Sequence, residues 1–247
     1  PPNTSPQRRS TDPVVPPPPP VPPVPPAQGT GNRGAGGRVV EAVVFDFGGV
    51  LITSIRNQLG EVAETHGVDV DTMLQILLGP HDSGDAHPWH RAERGEIAVA
   101  DIQAGLEPWA EPRGVTLRGD EIERLLVPGG YAVVDEMIDC VARLRVEGYR
   151  TGLLTNTFAE FRPTMQRDID FELFDVVIES FAVGSRKPER AIYEATQEQL
   201  GVDHESIVYL DDFDQNLTEP VALGWTTVRV DDHRRALDDL DAILRQR

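Results

Sequence analysis

The chain has 247 residues and a formal net charge of −18 at pH 7. Its first 38 residues carry Arg8, Arg9, Arg33 and Arg38 against Asp12 alone, so the remainder bears −21, a field that argues against nucleic acid or an anionic membrane as main partner. No apolar stretch approaches the ~20 residues of a membrane span, and the single cysteine, Cys140, excludes an intramolecular disulfide and suits a reducing, cytoplasmic setting.

Thirteen of the 21 prolines precede residue 27, and Gly29 to Gly37 follows as a glycine-rich stretch. Residues 1–38 are therefore expected to form a disordered tail of extended polyproline and coil, unable to bury a core. A passive extension is expected rather than a ligand for a proline-recognising domain. Gly29-Thr-Gly31-Asn-Arg-Gly34 has the GxGxxG spacing but follows prolines rather than a strand, so it reads as linker. The chain does not open on Met, which reads as a fragment or a wrongly assigned start, and its first residues lack the apolar core of a secretion signal.

Arg38 to Asp46 is expected to be the first strand. Residues 54–132 turn helical, with apolar stripes at Leu59, Val62, Ala63 and Val68, at Met73, Leu74, Ile76 and Leu77, and over Ile97 to Leu106 and Ile122 to Leu126. His81, His87 and His90 fall in loops of this part. Pro88 breaks the spacing of a helical zinc pair, so loop and substrate-lining roles are expected for them. Val133 to Val146 predicts a helix stopped by Gly148, with Cys140 buried on it, and feeds a strand from Tyr149 to Thr155. Strand, helix, strand, helix, strand and helix then follow at Phe174 to Glu179, Pro188 to Leu200 (Pro188 suiting the first turn), Ser206 to Leu210, Asn216 to Leu223, Thr226 to Val230 and Arg234 to Leu244. Strands separated by helices predict an α/β fold with a parallel sheet, whose ligands sit at the carboxyl ends of the strands.

Four strands end in polar residues of complementary chemistry. The first runs Val43-Val44-Phe45-Asp46-Phe47-Gly48-Gly49, a carboxylate followed by glycines that open the backbone to a ligand. The second ends in Thr155-Asn156, the third leads to Arg186-Lys187-Pro188-Glu189, and the fourth ends in the paired carboxylates Asp211-Asp212. A parallel sheet brings them to one edge, where carboxylates, an ammonium and neutral donors suit a divalent cation plus a phosphate.

These four motifs in this order, with Asp211-Asp212-Phe-Asp-Gln-Asn216 and Glu93-Arg94-Gly95-Glu96-Ile97, resemble the haloacid dehalogenase (HAD) superfamily. The resemblance runs from about Val40 to Val230 and is nearest to its helical-cap subgroup, that of the glucose-1-phosphate phosphatase-like members and the amino-terminal phosphatase domain of soluble epoxide hydrolases. It implies a Rossmann-like core of residues 39–53 and 133–247 with a helical cap of residues 54–132. It also implies a Mg²⁺-dependent hydrolase of a small phosphorylated metabolite. Asp46 matches the nucleophile that takes up the phosphoryl group. Asp46, Asp212 and the Gly48 carbonyl match the Mg²⁺ ligands, and Thr155, Asn156 and Lys187 the phosphate-binding residues, Lys187 also offsetting charge at the nucleophile. Asp211 and Asn216 match supporting residues.

One position departs from the pattern. Phosphatases of the family usually carry a second Asp two residues after the nucleophile, which protonates the leaving group; here that position is Gly48. The metal site needs only its carbonyl, but acid–base help, typically worth about 10²–10⁴-fold, is lost. One of the three histidines is a candidate replacement. A non-catalytic phosphate- and metal-binding module remains an alternative, and a metal-independent 2-haloacid dehalogenase a further one, against which the Asp211-Asp212 pair argues. The sequence leaves the oligomeric state open.

Overall fold

Ala42–Phe45 (β1) is buried on both sides, and its side chains alternate: Ala42 and Val44 enter one apolar cluster, Val43 and Phe45 another. Period-two alternation with no polar face is the mark of a strand covered by helices on both sides. The computed structural model describes residues 39–54, 56–80, 86–118 and 131–245. The expected tail, the GxGxxG stretch, His81 and the Ile122 to Leu126 stripe lie outside them.

After β1 come Arg56–His66 (α1), Val70–Leu77 (α2), Pro88–Glu93 (α3) and Ile102–Ala110 (α4). The chain then returns through Asp135–Val146 (α5) to Arg150–Thr155 (β2). Next are Arg162–Asp168 (α6), Val176–Glu179 (β3), Ser180–Val183 (α7) and Arg190–Leu200 (α8). Ile207–Asp211 (β4), Asp214–Leu223 (α9), Thr226–Arg229 (β5) and His233–Arg245 (α10) complete the order. The five strands form one parallel sheet in the order β3-β2-β1-β4-β5. The expected α/β Rossmann-like architecture is the observed one, and β1 lies at its centre.

Residues of α5 and α10 (Met137, Val141, Leu240) cover Val43, Phe45, Leu153 and Leu210 on one face. Residues of α8 and α9 (Ile192, Tyr193, Leu217) cover Val44, Leu154 and Tyr209 on the other. Helices α1, α2, α3 and α4 build a separate apolar cluster around Leu59, Met73, Ile76, Trp89 and Leu106, joined by Phe158 from beyond β2. The segments that enter and leave this helical insertion are clamped together: Thr53 N donates to Ala132 O and Val134 N to Leu51 O, each at 2.9 Å.

Two local departures have physical causes. Helix α8 begins at Arg190, not Pro188, because Glu189 is its N-cap in extended backbone, with its carboxylate accepting from Ser185 Oγ (2.8 Å) and Arg186 N (3.1 Å) in the preceding loop. Helix α6 carries no apolar periodicity and one buried side chain, Met165, so no pattern announces it. Cys140 is buried on α5 as expected, and desolvation raises its thiol pKa, as befits an inert core residue. Among the described residues no helix is long and apolar enough to cross a membrane.

His87 is a capping residue. Its Nδ1 accepts from Trp89 N (3.2 Å) at the start of α3, and its ring stacks at 4.8 Å from Trp109. Burial, then the neighbouring His90, lowers its pKa to about 4. The unfolded chain takes up this proton below about pH 6.5 and the folded chain does not. The stability it represents is therefore present above pH 6.5 and is lost as pH falls toward 4. His87→Asn keeps a capping acceptor without the titration. The stability of the wild type relative to this variant is expected to drop by about 2 kcal/mol between pH 7 and pH 4, read by denaturant melts at each pH.

Candidate active site

Asp46 follows β1 directly, and its amide donates to Leu210 O of β4 at 3.0 Å, so the sheet itself fixes the backbone at this carboxylate. Lys187 reaches it from the loop before α8: Nζ lies 2.7 Å from Asp46 Oδ1 and 2.7 Å from Asp211 Oδ2, with the lysine only 1% exposed. Burial works against the ammonium, but the two carboxylates outweigh it and raise its pKa, so Lys187 stays charged.

Asp211, the last residue of β4, is saturated. It accepts from Phe213 N at 2.8 Å, from Asn216 Nδ2 at 3.0 and 3.1 Å, and from the Tyr209 hydroxyl, besides holding Lys187. Asp212 is different. Its Oδ2 meets Ser54 Oγ at 3.4 Å, while its Oδ1 is buried and meets no donor among the described residues. Burial, with Asp46 and Asp211 adding to it, pushes the Asp212 pKa up to about 8. Burial also raises Asp46 to about 7 despite Lys187. Carboxylate oxygens of Asp46, Asp211 and Asp212 lie within 4.8 Å of one another. Three carboxylates against one ammonium, with one oxygen unsatisfied, is a donor set that fits a hard divalent cation. Asp211 is spent on its own contacts, which leaves Asp46 and Asp212 able to hold one.

The glycines after Asp46 differ in their reasons. A Cβ on Gly48 would meet nothing within 4 Å, so its lack of a side chain is a chemical choice, not a steric one. Gly49 has φ +75°, and a Cβ there would collide with Asp212 Oδ2. Its carbonyl is held by His233 Nε2 at 3.1 Å, a contact from α10 that no local pattern marks. Gly49→Ala is expected to displace Asp212, and a divalent cation held by Asp46 and Asp212 would then bind at least about 10-fold more weakly, measured by calorimetric titration. It should also cost about 1–2 kcal/mol of stability through the left-handed backbone.

Thr155 is buried at the end of β2, and with Asn156, Lys187, Gly48 and Asp212 it lines a cavity of about 180 Å³. Asn156 is also committed elsewhere: its side chain accepts from Lys187 N (2.8 Å) and donates to Lys187 O (3.1 Å), pinning the lysine's backbone. The rest of the wall is aromatic. Phe47, Tyr131 and Phe161 meet edge to face at 6.2–6.4 Å, and Trp89 meets Phe158 at 5.0 Å. His87, the N-cap of α3, and His90, within it, are buried and do not line this cavity, against the substrate-lining role expected for them, so the geometry gives no support to either as a replacement acid for position 48. Glu93 and Arg186, which do line it, form a buried ion pair at 2.5 Å.

Residues 40–217 match the model of the haloacid dehalogenase-like hydrolases. The chain is 30% identical over 222 residues to mouse acyl-CoA dehydrogenase family member 10, covering 85% of this chain but only 20% of that protein, about a fifth of its length. It is 26% identical over 198 residues to a sesquiterpene phosphatase of Aspergillus oryzae, covering 78% of this chain and 90% of the other. In fold it is similar to a HAD family enzyme of Bacteroides thetaiotaomicron solved with magnesium and inorganic phosphate. That likeness has a TM-score of 0.54 at 20% identity and covers 77% and 93% of the two chains. A central strand ending in a buried carboxylate, the lysine that meets it and the acid pair beside it thus sit in a chain that belongs to the haloacid dehalogenase-like hydrolases.

Proposed function

We propose that the protein is a Mg²⁺-dependent phosphatase of a small phosphomonoester, acting through a phosphoryl group carried on Asp46, with residues 54–132 as a cap over the site. The observation that carries this reading is the buried Asp212 Oδ1, without a donor among the described residues, beside an Asp46 already met by Lys187. The magnesium and phosphate of the Bacteroides neighbour and the phosphatase activity in the name of the Aspergillus relative agree with it.

Asp46 attacks phosphorus in line. The bond that forms is from its carboxylate oxygen to phosphorus, and the bond that breaks is from phosphorus to the leaving oxygen. The leaving oxygen takes its proton from water, since Gly48 offers none. A second water attacks the phosphorus of the acyl phosphate, gives its proton to solvent, and phosphate departs with Asp46 restored. Lys187 stays protonated throughout and offsets the charge that gathers at Asp46. Thr155 offers its hydroxyl to the phosphoryl oxygens. Asn156 faces the same end of the cavity and fixes Lys187 through its backbone, while Asp211 and Asn216 hold the lysine and the β4 end in place. Asp46, Asp212 and the Gly48 carbonyl would hold Mg²⁺, whose charge screens the phosphoryl oxygens from the carboxylates.

Gly48 favours one second reading, a module that binds metal and phosphate without turnover. A broad phosphomonoester panel with and without Mg²⁺ separates the two. The phosphatase releases phosphate from at least one ester only with Mg²⁺, and Asp46→Asn abolishes the release. Silence across the panel, alongside tight binding of Mg²⁺ and phosphate, selects the module.

A further inference from the structure

Beyond the phosphate end, the cavity carries very little charge. Among the described residues that line it, the charged side chains other than Asp46, Lys187 and Asp212 are Glu93 and Arg186. These two cancel: Arg186 Nε meets Glu93 Oε2 at 2.5 Å, and Trp89 Nε1 donates to Glu93 Oε1 at 2.9 Å. Both partners are under 10% exposed, so solvent does little to loosen the pair. Polar groups on the same wall are engaged as well. The Tyr131 hydroxyl donates to Asp168 at 2.6 Å, and Thr157 Oγ1 lies 3.3 Å from Met165 Sδ. Besides Gln215, what this part of the wall offers a bound molecule is mainly the aromatic surface of Phe47, Tyr131, Phe161, Trp89 and Phe158.

Arg186 is next to Lys187, and a free guanidinium there would be a ready bidentate receptor for a second phosphate or a carboxylate on the substrate. Glu93, from α3 of the helical insertion, takes the Nε of that guanidinium and sets a carboxylate against its charge. We infer that Glu93 is a specificity-determining residue: by occupying Arg186 it restricts the site to phosphomonoesters of uncharged, apolar alcohols. A second anion would meet an apolar wall and a cation whose charge Glu93 already offsets, and would give up hydration for little electrostatic return. An apolar alcohol loses only unfavourable contact with water and gains the aromatic surface.

This rests on the phosphatase reading, but a binding measurement tests it separately from turnover. In saturating Mg²⁺, Kd is measured for two non-hydrolysable phosphonates of matched length, n-hexylphosphonate and 6-phosphonohexanoate, which differ by a terminal carboxylate. The wild type is expected to prefer the alkyl compound by about 100-fold. In Glu93→Gln the ratio narrows at least 10-fold, through tighter binding of the carboxylate compound to the released Arg186. Where Glu93→Gln does not fold, Arg186→Gln serves: it removes the cation that the carboxylate would use, and its ratio stays as wide as the wild type's or widens. Equal binding of both compounds by the wild type overturns the inference. So does an unchanged ratio in Glu93→Gln or a narrowed one in Arg186→Gln. Preference for the alkyl phosphonate without hydrolysis of any alkyl phosphate would leave the specificity standing and remove the phosphatase reading instead.

Discussion

Asp212→Asn is expected to lower Mg²⁺-dependent turnover by roughly 10³-fold while raising the melting temperature of the metal-free protein. The two effects have one cause. Asp212 is pressed against Asp46 and Asp211 in a buried site, and its carboxylate is pushed up to about 8 by burial and by those neighbours. Without a cation that crowding is a standing cost, and an amide of the same shape removes it. A gain of about 2 kcal/mol at pH 8 is the expected scale. In the wild type, Mg²⁺ at about 100 times its Kd should contribute about 2.7 kcal/mol, whereas in Asp212→Asn the same addition should leave the melt unchanged. Thermal melts of both proteins with and without Mg²⁺, beside a phosphate-release assay, check both halves. A variant that melts lower without metal would mean that Asp212 is held by a partner and is not poised for a cation.

Gly48→Asp is expected to increase turnover. The space at Gly48 is open, with nothing within 4 Å of the place a Cβ would take, and its backbone carries no positive φ. In the proposed reaction a carboxylic acid there would protonate the leaving oxygen, a proton otherwise drawn from water. General acid catalysis is worth about 10²–10⁴-fold where it operates well, so a rise of at least about 10-fold in kcat is the expected outcome. The increase should be largest for alkyl phosphates, whose alkoxide leaves poorly, and near unity for aryl phosphates, whose phenoxide leaves without help. A uniform change across leaving groups would show that the new acid acts on binding or folding and not on proton transfer.

The contrast between these two positions explains what the sequence could carry. Asp46 and Asp212 were legible because each follows a short apolar run that a parallel sheet must bring to one edge, and Lys187 because it precedes a helix that follows the third such run. The sheet was legible for the same reason: strands and helices alternate in period, and the alternation of Val43 and Phe45 with Ala42 and Val44 needs no partner to be seen. The contacts that tune the site were not. Glu93 and Arg186 are 93 residues apart, and nothing local tells a helix-end glutamate that it will be buried against a core arginine. Asn156 reads as a phosphate donor from its place after β2, yet its amide is divided between the two backbone groups of Lys187. His87 reads as a cavity residue from its loop, yet it caps α3 beneath the wall. Gly49 reads as a turn residue, and the turn is real, but the closer constraint is the Asp212 carboxylate lying over it.

In the proposed reaction Asp46 carries the phosphoryl group. The most direct test is a single turnover of an alkyl phosphate with excess enzyme and Mg²⁺, stopped in acid within milliseconds and followed by peptide mass spectrometry. A transient phosphoryl mass is expected on the peptide that contains Asp46, absent without Mg²⁺ and absent in Asp46→Asn. Phosphate release at an undiminished rate from Asp46→Asn, or a phosphoryl group trapped on another residue, would contradict it.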